Sequence, residues 1–477
     1  MTKVLRAAAI GVAVVSLAAQ LTLPAVAAPK LTWGECPPDS GAFRQVACAT
    51  LKVPLDYANP NGRQITLTIS GVGSLTAPHA LLVNPGGPGA PGIGVEQMVS
   101  AALPEKVAEQ YAVFSFDPRG VGDSTPVSCG DTSKLVTHPA LPYRPVNARQ
   151  EQQRVQQAKQ VADQCDRNAK GLLPYITTEN AARDMDRIRI ALGRDKIDYL
   201  GYSYGTKLGA TYATLFPQHT GRMILDSVVD PLVSTYRTTY EQDPAFEARA
   251  QVMFGWIAAR DTTYHLGKTA KAVGAVWQKV QSDVAEKPAG GRAGVAELSD
   301  LLASALYTDD LWSSVADAIV QYRHIDPSGL LSITDQFALQ SVDPAQLAYN
   351  CMDPGWPRTW SAWHWDTTVA DHRAPQFAWM NTWYSAPCAF WPVAPAKQVQ
   401  IRSAAPVLLL QGRYDAATPV IGARRMREVL PNSRLLLDKG GNHASYLFSN
   451  NPCVDGKAEK YLLTGLLPAD GNCPAAG

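Results

Sequence analysis

Residues 201–205 read Gly-Tyr-Ser-Tyr-Gly and set a serine between two glycines, where the apolar run "KIDYL" ends and a helix-forming segment begins. A tight strand-to-helix turn is strained and leaves little room for a Cβ beside the serine, so glycine suits both flanks. Ser203 is therefore a candidate nucleophile. Its hydroxyl reacts poorly without a base to take the proton, and that base needs an acid to orient it. Of the eight histidines, only His443, in "KGGNHASY", lies beyond Asp415, which ends the apolar run "VLLLQGRYD". Asp438 is the rival acid, but it sits five residues before His443, in or beside the same strand-like run, so Asp415 is expected to be the partner. Upstream, "NPGGPG" follows another apolar run. The amides of Gly86 and Gly87, with that of Tyr204, can hold a developing oxyanion, and which of the two glycines donates is left open. Each motif alone is common. All four in this order point to acyl transfer through a serine.

These residues need elements to carry them. "CATLKVPLDYANPNGRQITLTISGV" predicts a hairpin turning at Asn59-Pro60-Asn61-Gly62. "HALLVN", "YAVFSF", "KIDYLGY", "MILD", "APVLLLQG" and "SRLLLD" are apolar runs ending in turn residues, with helical patterns between them. That alternation predicts an α/β chain with a mostly parallel sheet. "TTENAARDMDRIRIALG" is one such helix, capped by Thr177 or Thr178 and stopped at Gly193, with Met185, Ile188 and Leu192 on one face. Residues 148–169, polar and Gln-rich, predict an exposed connecting helix. From 235 to 404 the strand grammar stops. A helix is expected to open at Asp243-Pro244, and seven of the eleven tryptophans fall between Trp356 and Trp391. Residues 235–404 therefore read as a helical lid inserted between two parts of a sheet domain, 28–234 and 405–477.

Composition narrows the compartment and partners. Residues 1–27 have a basic start (Lys3, Arg6), an apolar stretch and an Ala25-Val26-Ala27 cleavage pattern, so a signal peptide and an exported chain from about Ala28 are expected. A net charge of +1 gives no global field for nucleic acid or an anionic membrane surface. Eight cysteines suit an oxidising compartment. They allow roughly a hundred pairings, of which the simplest joins neighbours: 36–48, 129–165, 351–388 and 453–473. No cysteine or histidine spacing suggests a metal, and no cofactor is expected.

"NPGGPG", "FDPRGVGDSTP", "NAARDMDRIRIALG", "YLGYSYGTKLGATYATLFP", "MILDSVVDP", "GRYDAATP" and "NPCVDGKAEKYLLTG" together resemble the secreted bacterial tripeptidyl aminopeptidases, proline iminopeptidase-like serine peptidases of the α/β-hydrolase fold. The resemblance spans nearly all of the mature chain. It implies an exopeptidase, expected to be monomeric, that releases short peptides, mainly tripeptides, from free N-termini. The nucleophile, acid and base fall by motif match on Ser203, Asp415 and His443. The glycine loop departs from the His-Gly-Gly-Pro-Gly form of the smaller proline iminopeptidases, carrying Asn84-Pro85 before its glycines. An exopeptidase also needs a group for the substrate ammonium, and an acidic residue in the lid is the expected device. Glu241, Asp243 and Glu247 are the first candidates, with Asp353 and Asp366 behind them. A secreted carboxylester hydrolase using the same three residues is the alternative.

Overall fold

The computed structural model describes residues 31–38, 40–42, 46–337 and 342–475. The expected signal peptide lies outside them. Nine strands form one sheet: β1 (Ala47–Pro54), β2 (Gln64–Val72), β3 (His79–Asn84), β4 (Tyr111–Phe116), β5 (Ile197–Tyr202), β6 (Thr220–Asp226), β7 (Val407–Gly412), β8 (Ser433–Asp438) and β9 (Gly471–Cys473). Their spatial order is β1-β2-β4-β3-β5-β6-β7-β8-β9. β1 and β2 are the expected hairpin, with Pro54 opposite Gln64. β2 also pairs antiparallel with β4, and every later pair is parallel.

Every residue of β4, β5 and β7 is buried, because helices cover both faces of the sheet. This explains why those strands read as unbroken apolar runs rather than alternating ones. Successive residues feed opposite cores. Tyr199 packs on one face with Met185, Ile188 and Leu208, and Leu200 on the other with Val99, Tyr446 and Tyr461. The helix Thr178–Ala191 is capped by Thr177, whose hydroxyl accepts the Asn180 N–H.

Between β6 and β7, the run from Thr235 to Phe390 holds nine α-helices and none of the nine strands among the described residues. It has a core of its own built around Phe254, Trp277, Leu301 and Ile319. Most of its C-terminal tryptophans pack on one another: Trp356 stacks on Trp363, and Trp360 and Trp379 both stack on Trp383. One expectation fails here. The helix does not open at Asp243; it runs from Thr235 to Ala258 with Pro244 inside it, and its cap is Ser234. A proline in a helix interior forfeits one hydrogen bond. Here Tyr236, Phe246, Ala250 and Met253 are buried on either side of it, so packing carries the helix through.

All four disulfides join neighbours in sequence, as expected. Cys129–Cys165 ties the loop after β4 to the helix Ala148–Asn168, and Cys351–Cys388 ties two segments of the insert. No helix among the described residues is long and apolar enough to cross a membrane.

Candidate active site

The sheet order reverses around β3, whose neighbours are β4 and β5, and a crevice opens where such strands end. Asn84 at the end of β3 stands opposite Gly201 of β5, so "NPGGPG" and "GYSYG" leave the sheet side by side. Ser203 follows β5 at φ 55° and ψ −124°, a region that a side chain rarely adopts. Its N–H donates to the Asp226 carbonyl at 2.9 Å, and its carbonyl accepts the Thr206 hydroxyl at 2.6 Å. The surrounding backbone holds the strained turn in place. A Cβ on Gly205 would lie 2.9 Å from the Asn84 carbonyl, and one on Gly86 would lie 2.9 Å from the Ser203 Cβ. Glycine is required at both positions by close approach.

The two glycines of the β3 loop differ. The Gly86 N–H donates to the Asn84 side chain at 3.1 Å in a buried setting. Gly87 instead lines a cavity of about 540 Å³, along with Ser203, Tyr204 and Thr418. The departure at Asn84 thus has a physical role: its amide fixes the loop that lies against Ser203.

Asp415 follows β7 and His443 follows β8, the strand paired with it. His443 Nδ1 lies 2.9 and 3.1 Å from the two carboxylate oxygens of Asp415, which also accept the N–H and hydroxyl of Thr418 at 2.9 and 2.7 Å. An ionised carboxylate only accepts, so Nδ1 carries the proton and Nε2 is left as the basic nitrogen. Burial disfavours the imidazolium, but the charge and hydrogen bond of Asp415, with the charge of Asp226 behind them, outweigh it and raise the His443 pKa above 6.5. Burial likewise works against the Asp415 carboxylate, yet its pKa is lowered by His443 and Thr418. Asp438 accepts the Gly440 N–H at 2.7 Å, whereas Asp415 holds the imidazole.

The acidic residues singled out for the ammonium lie elsewhere. Glu241 pairs with Arg425 at 3.2 Å. Glu247 accepts the Gln376 N–H at 2.7 Å. Asp353 binds Lys207 and Thr235, and Asp366 accepts the Tyr236 hydroxyl at 2.8 Å. Asp243 is fully buried, accepts from Asn381 at 2.6 Å, and burial pushes its pKa up to about 7. None of the five lines the cavity, whose described acidic residues are Glu297, Asp300 and Asp343. Glu297 accepts the Gly294 and Ala140 N–H groups at 2.9 and 2.7 Å, and His138 Nδ1 lies 3.0 Å from it. Asp300 accepts the Tyr143 hydroxyl at 2.6 Å. The sequence signal was two acids three apart in "AELSDLLASA", which by itself reads as an ordinary helix surface. The helix Ala148–Asn168 is also more than a connector, since Arg154, Gln157, Ala158 and Val161 form part of the cavity wall.

A sheet of this order, with its polar chemistry gathered where β3, β5, β7 and β8 end, is the architecture of the α/β hydrolases. Residues 79–312 match the family described as alpha/beta hydrolase fold, and residues 374–473 the one described as TAP-like protein. The chain is 36% identical to a tripeptidyl aminopeptidase of Streptomyces lividans, over 91% of this chain and 84% of that one. It is 30% identical to the serine protease Hip1 of Mycobacterium tuberculosis, over 89% and 86%. A carboxylesterase B of the same organism is 31% identical over 93% and 89%. The chain belongs to the TAP-like α/β hydrolases, the family of the tripeptidyl aminopeptidases.

Proposed function

We propose that this chain is an exported serine exopeptidase that releases short peptides, mainly tripeptides, from free N-termini. Residues 235–404 act as the cap over a core formed by 28–234 and 405–477. Two observations support the reading: the Asp415–His443 pair on the loops after β7 and β8, and the strained turn that puts Ser203 in the cavity wall. His443 Nε2 takes the Ser203 proton as the hydroxyl attacks the scissile carbonyl. The amides of Gly87 and Tyr204 receive the oxyanion, since that of Gly86 already serves Asn84. The imidazolium then protonates the leaving amine, and neutral His443 activates the water that frees the acyl-peptide. Catalysis needs the neutral imidazole, so kcat/KM is expected to fall as pH drops through a midpoint above 6.5. A pH–rate profile that stays flat down to about pH 5 would remove His443 from the role of base.

A free N-terminus is the natural ligand for the acidic wall of the cavity, where Glu297 and Asp300 are nearly buried. Hydrogen bonds to charged groups contribute about 1.5–3 kcal/mol, so N-acetylation of a tripeptidyl p-nitroanilide should lower kcat/KM by roughly 10- to 100-fold. Equal turnover of the free and acetylated forms would end the exopeptidase reading. Ester hydrolysis with no turnover of any tripeptidyl anilide would favour a carboxylester hydrolase, the activity named for one relative.

A further inference from the structure

We propose that the helical insert holds His443 in place as well as covering the cavity, and that Arg249 is the positioning residue through which it does so. The inference rests on the reading of Ser203 and His443 given above, and its geometry lies outside the pair with Asp415. The loop carrying the histidine is anchored to the core on both flanks. Gly440 donates to Asp438, while the Ala444 N–H donates to Ser227 Oγ at 2.8 Å and the Tyr446 N–H to the Asp226 carboxylate at 2.6 Å. Between those anchors the insert takes over. The His443 N–H donates to the Tyr307 carbonyl at 2.7 Å, and the Tyr307 ring stands edge-on to the imidazole at 5.1 Å. Asn442 Oδ1 accepts the Asp309 N–H at 2.9 Å and Arg249 Nη2 at 3.2 Å.

Arg249 ties these contacts together. It lies in the long helix Thr235–Ala258, is 3% exposed, pairs with the Asp309 carboxylate and lies over the Trp312 ring at 4.6 Å. Its guanidinium also packs against the loop backbone, since a Cβ on Gly441 would lie 2.5 Å from Nη1. A guanidinium held on an aromatic face and by a carboxylate is a rigid support, unlike a flexible surface cation. An insert that only covered the cavity would affect substrates large enough to touch it. An insert that seats the base must affect every reaction of Ser203, including those with reagents too small to fill the cavity.

That difference supplies the test. Sulfonylation of Ser203 by phenylmethanesulfonyl fluoride, followed by intact mass, needs the activated serine but no peptide subsite. Arg249→Met and Asn442→Ala are each expected to slow labelling by roughly 10- to 100-fold, the usual cost of a displacement near 1 Å. The double variant should be no slower than the slower single one, because both remove the same tether. Arg249→Lys should recover part of the rate, and thermal melts identify any variant that has merely unfolded. Labelling at the parental rate in folded Arg249→Met and Asn442→Ala would overturn the proposal, whatever happens to tripeptide turnover. So would full multiplication of the two effects in the double variant. If the parent protein is not labelled at Ser203, this proposal falls together with the assignment of the nucleophile. If the parent is labelled but cleaves no tripeptide, only the exopeptidase reading falls.

Discussion

Ser203→Ala is expected to lower kcat/KM on a tripeptidyl substrate by about a million-fold, the scale seen when a serine nucleophile is deleted. The loss should be almost entirely chemical. The bonds that hold the turn are made by the Ser203 main chain, to the Asp226 carbonyl and from the Thr206 hydroxyl, and an alanine keeps both. Alanine also keeps the Cβ that Gly86 approaches, so the oxyanion loop need not move. The variant should therefore melt with the parent and still bind peptide. Its residual rate would reflect the oxyanion donors and substrate binding alone. Progress curves on freshly purified variant, with parent contamination checked by active-site labelling, measure the loss. Activity within tenfold of the parent would mean that another residue attacks.

Asp415→Asn should cost about 10⁴-fold in kcat with a smaller change in KM. An asparagine amide can turn its NH₂ towards His443 Nδ1, which places the ring proton on Nε2 and removes the lone pair that must accept the serine proton. A second consequence has a definite sign. The carboxylate charge opposes burial and keeps the His443 pKa above 6.5. With that charge gone, burial acts with less opposition and the pKa falls, so the residual activity should extend to lower pH than in the parent. Asp438→Asn is the matched control. Its side chain can still accept the Gly440 N–H, and its kcat should stay near that of the parent. Equal losses in the two variants would exclude Asp415 as the specific partner of His443.

Much of this molecule is local chemistry and can be read locally. Turn strain demands glycine around Ser203, parallel strands covered on both faces demand unbroken apolar runs, and Thr177 caps its helix through a bond three residues long. Each disulfide joins cysteines no more than 37 residues apart, so pairing neighbours is enough to connect them. The order of serine, aspartate and histidine along the chain narrows the candidates to a few residues for the same reason, since each must follow the end of a strand.

What the tertiary structure decided depends on which helix faces meet across the insert. Asp243 reads as a helix cap, yet it is buried opposite Asn381 because the helix runs straight through Pro244. Glu297 and Asp300 look like ordinary helix acids until the helix Ala148–Asn168 folds against them and closes a wall. Gly86 and Gly87 are equivalent in sequence, and only the position of the Asn84 side chain separates them. Arg249 and Asn442, 193 residues apart, show no shared pattern along the chain. Periodicity says which face of a helix is apolar; it does not say which other face will cover it. That pairing is set by packing among elements far apart in sequence.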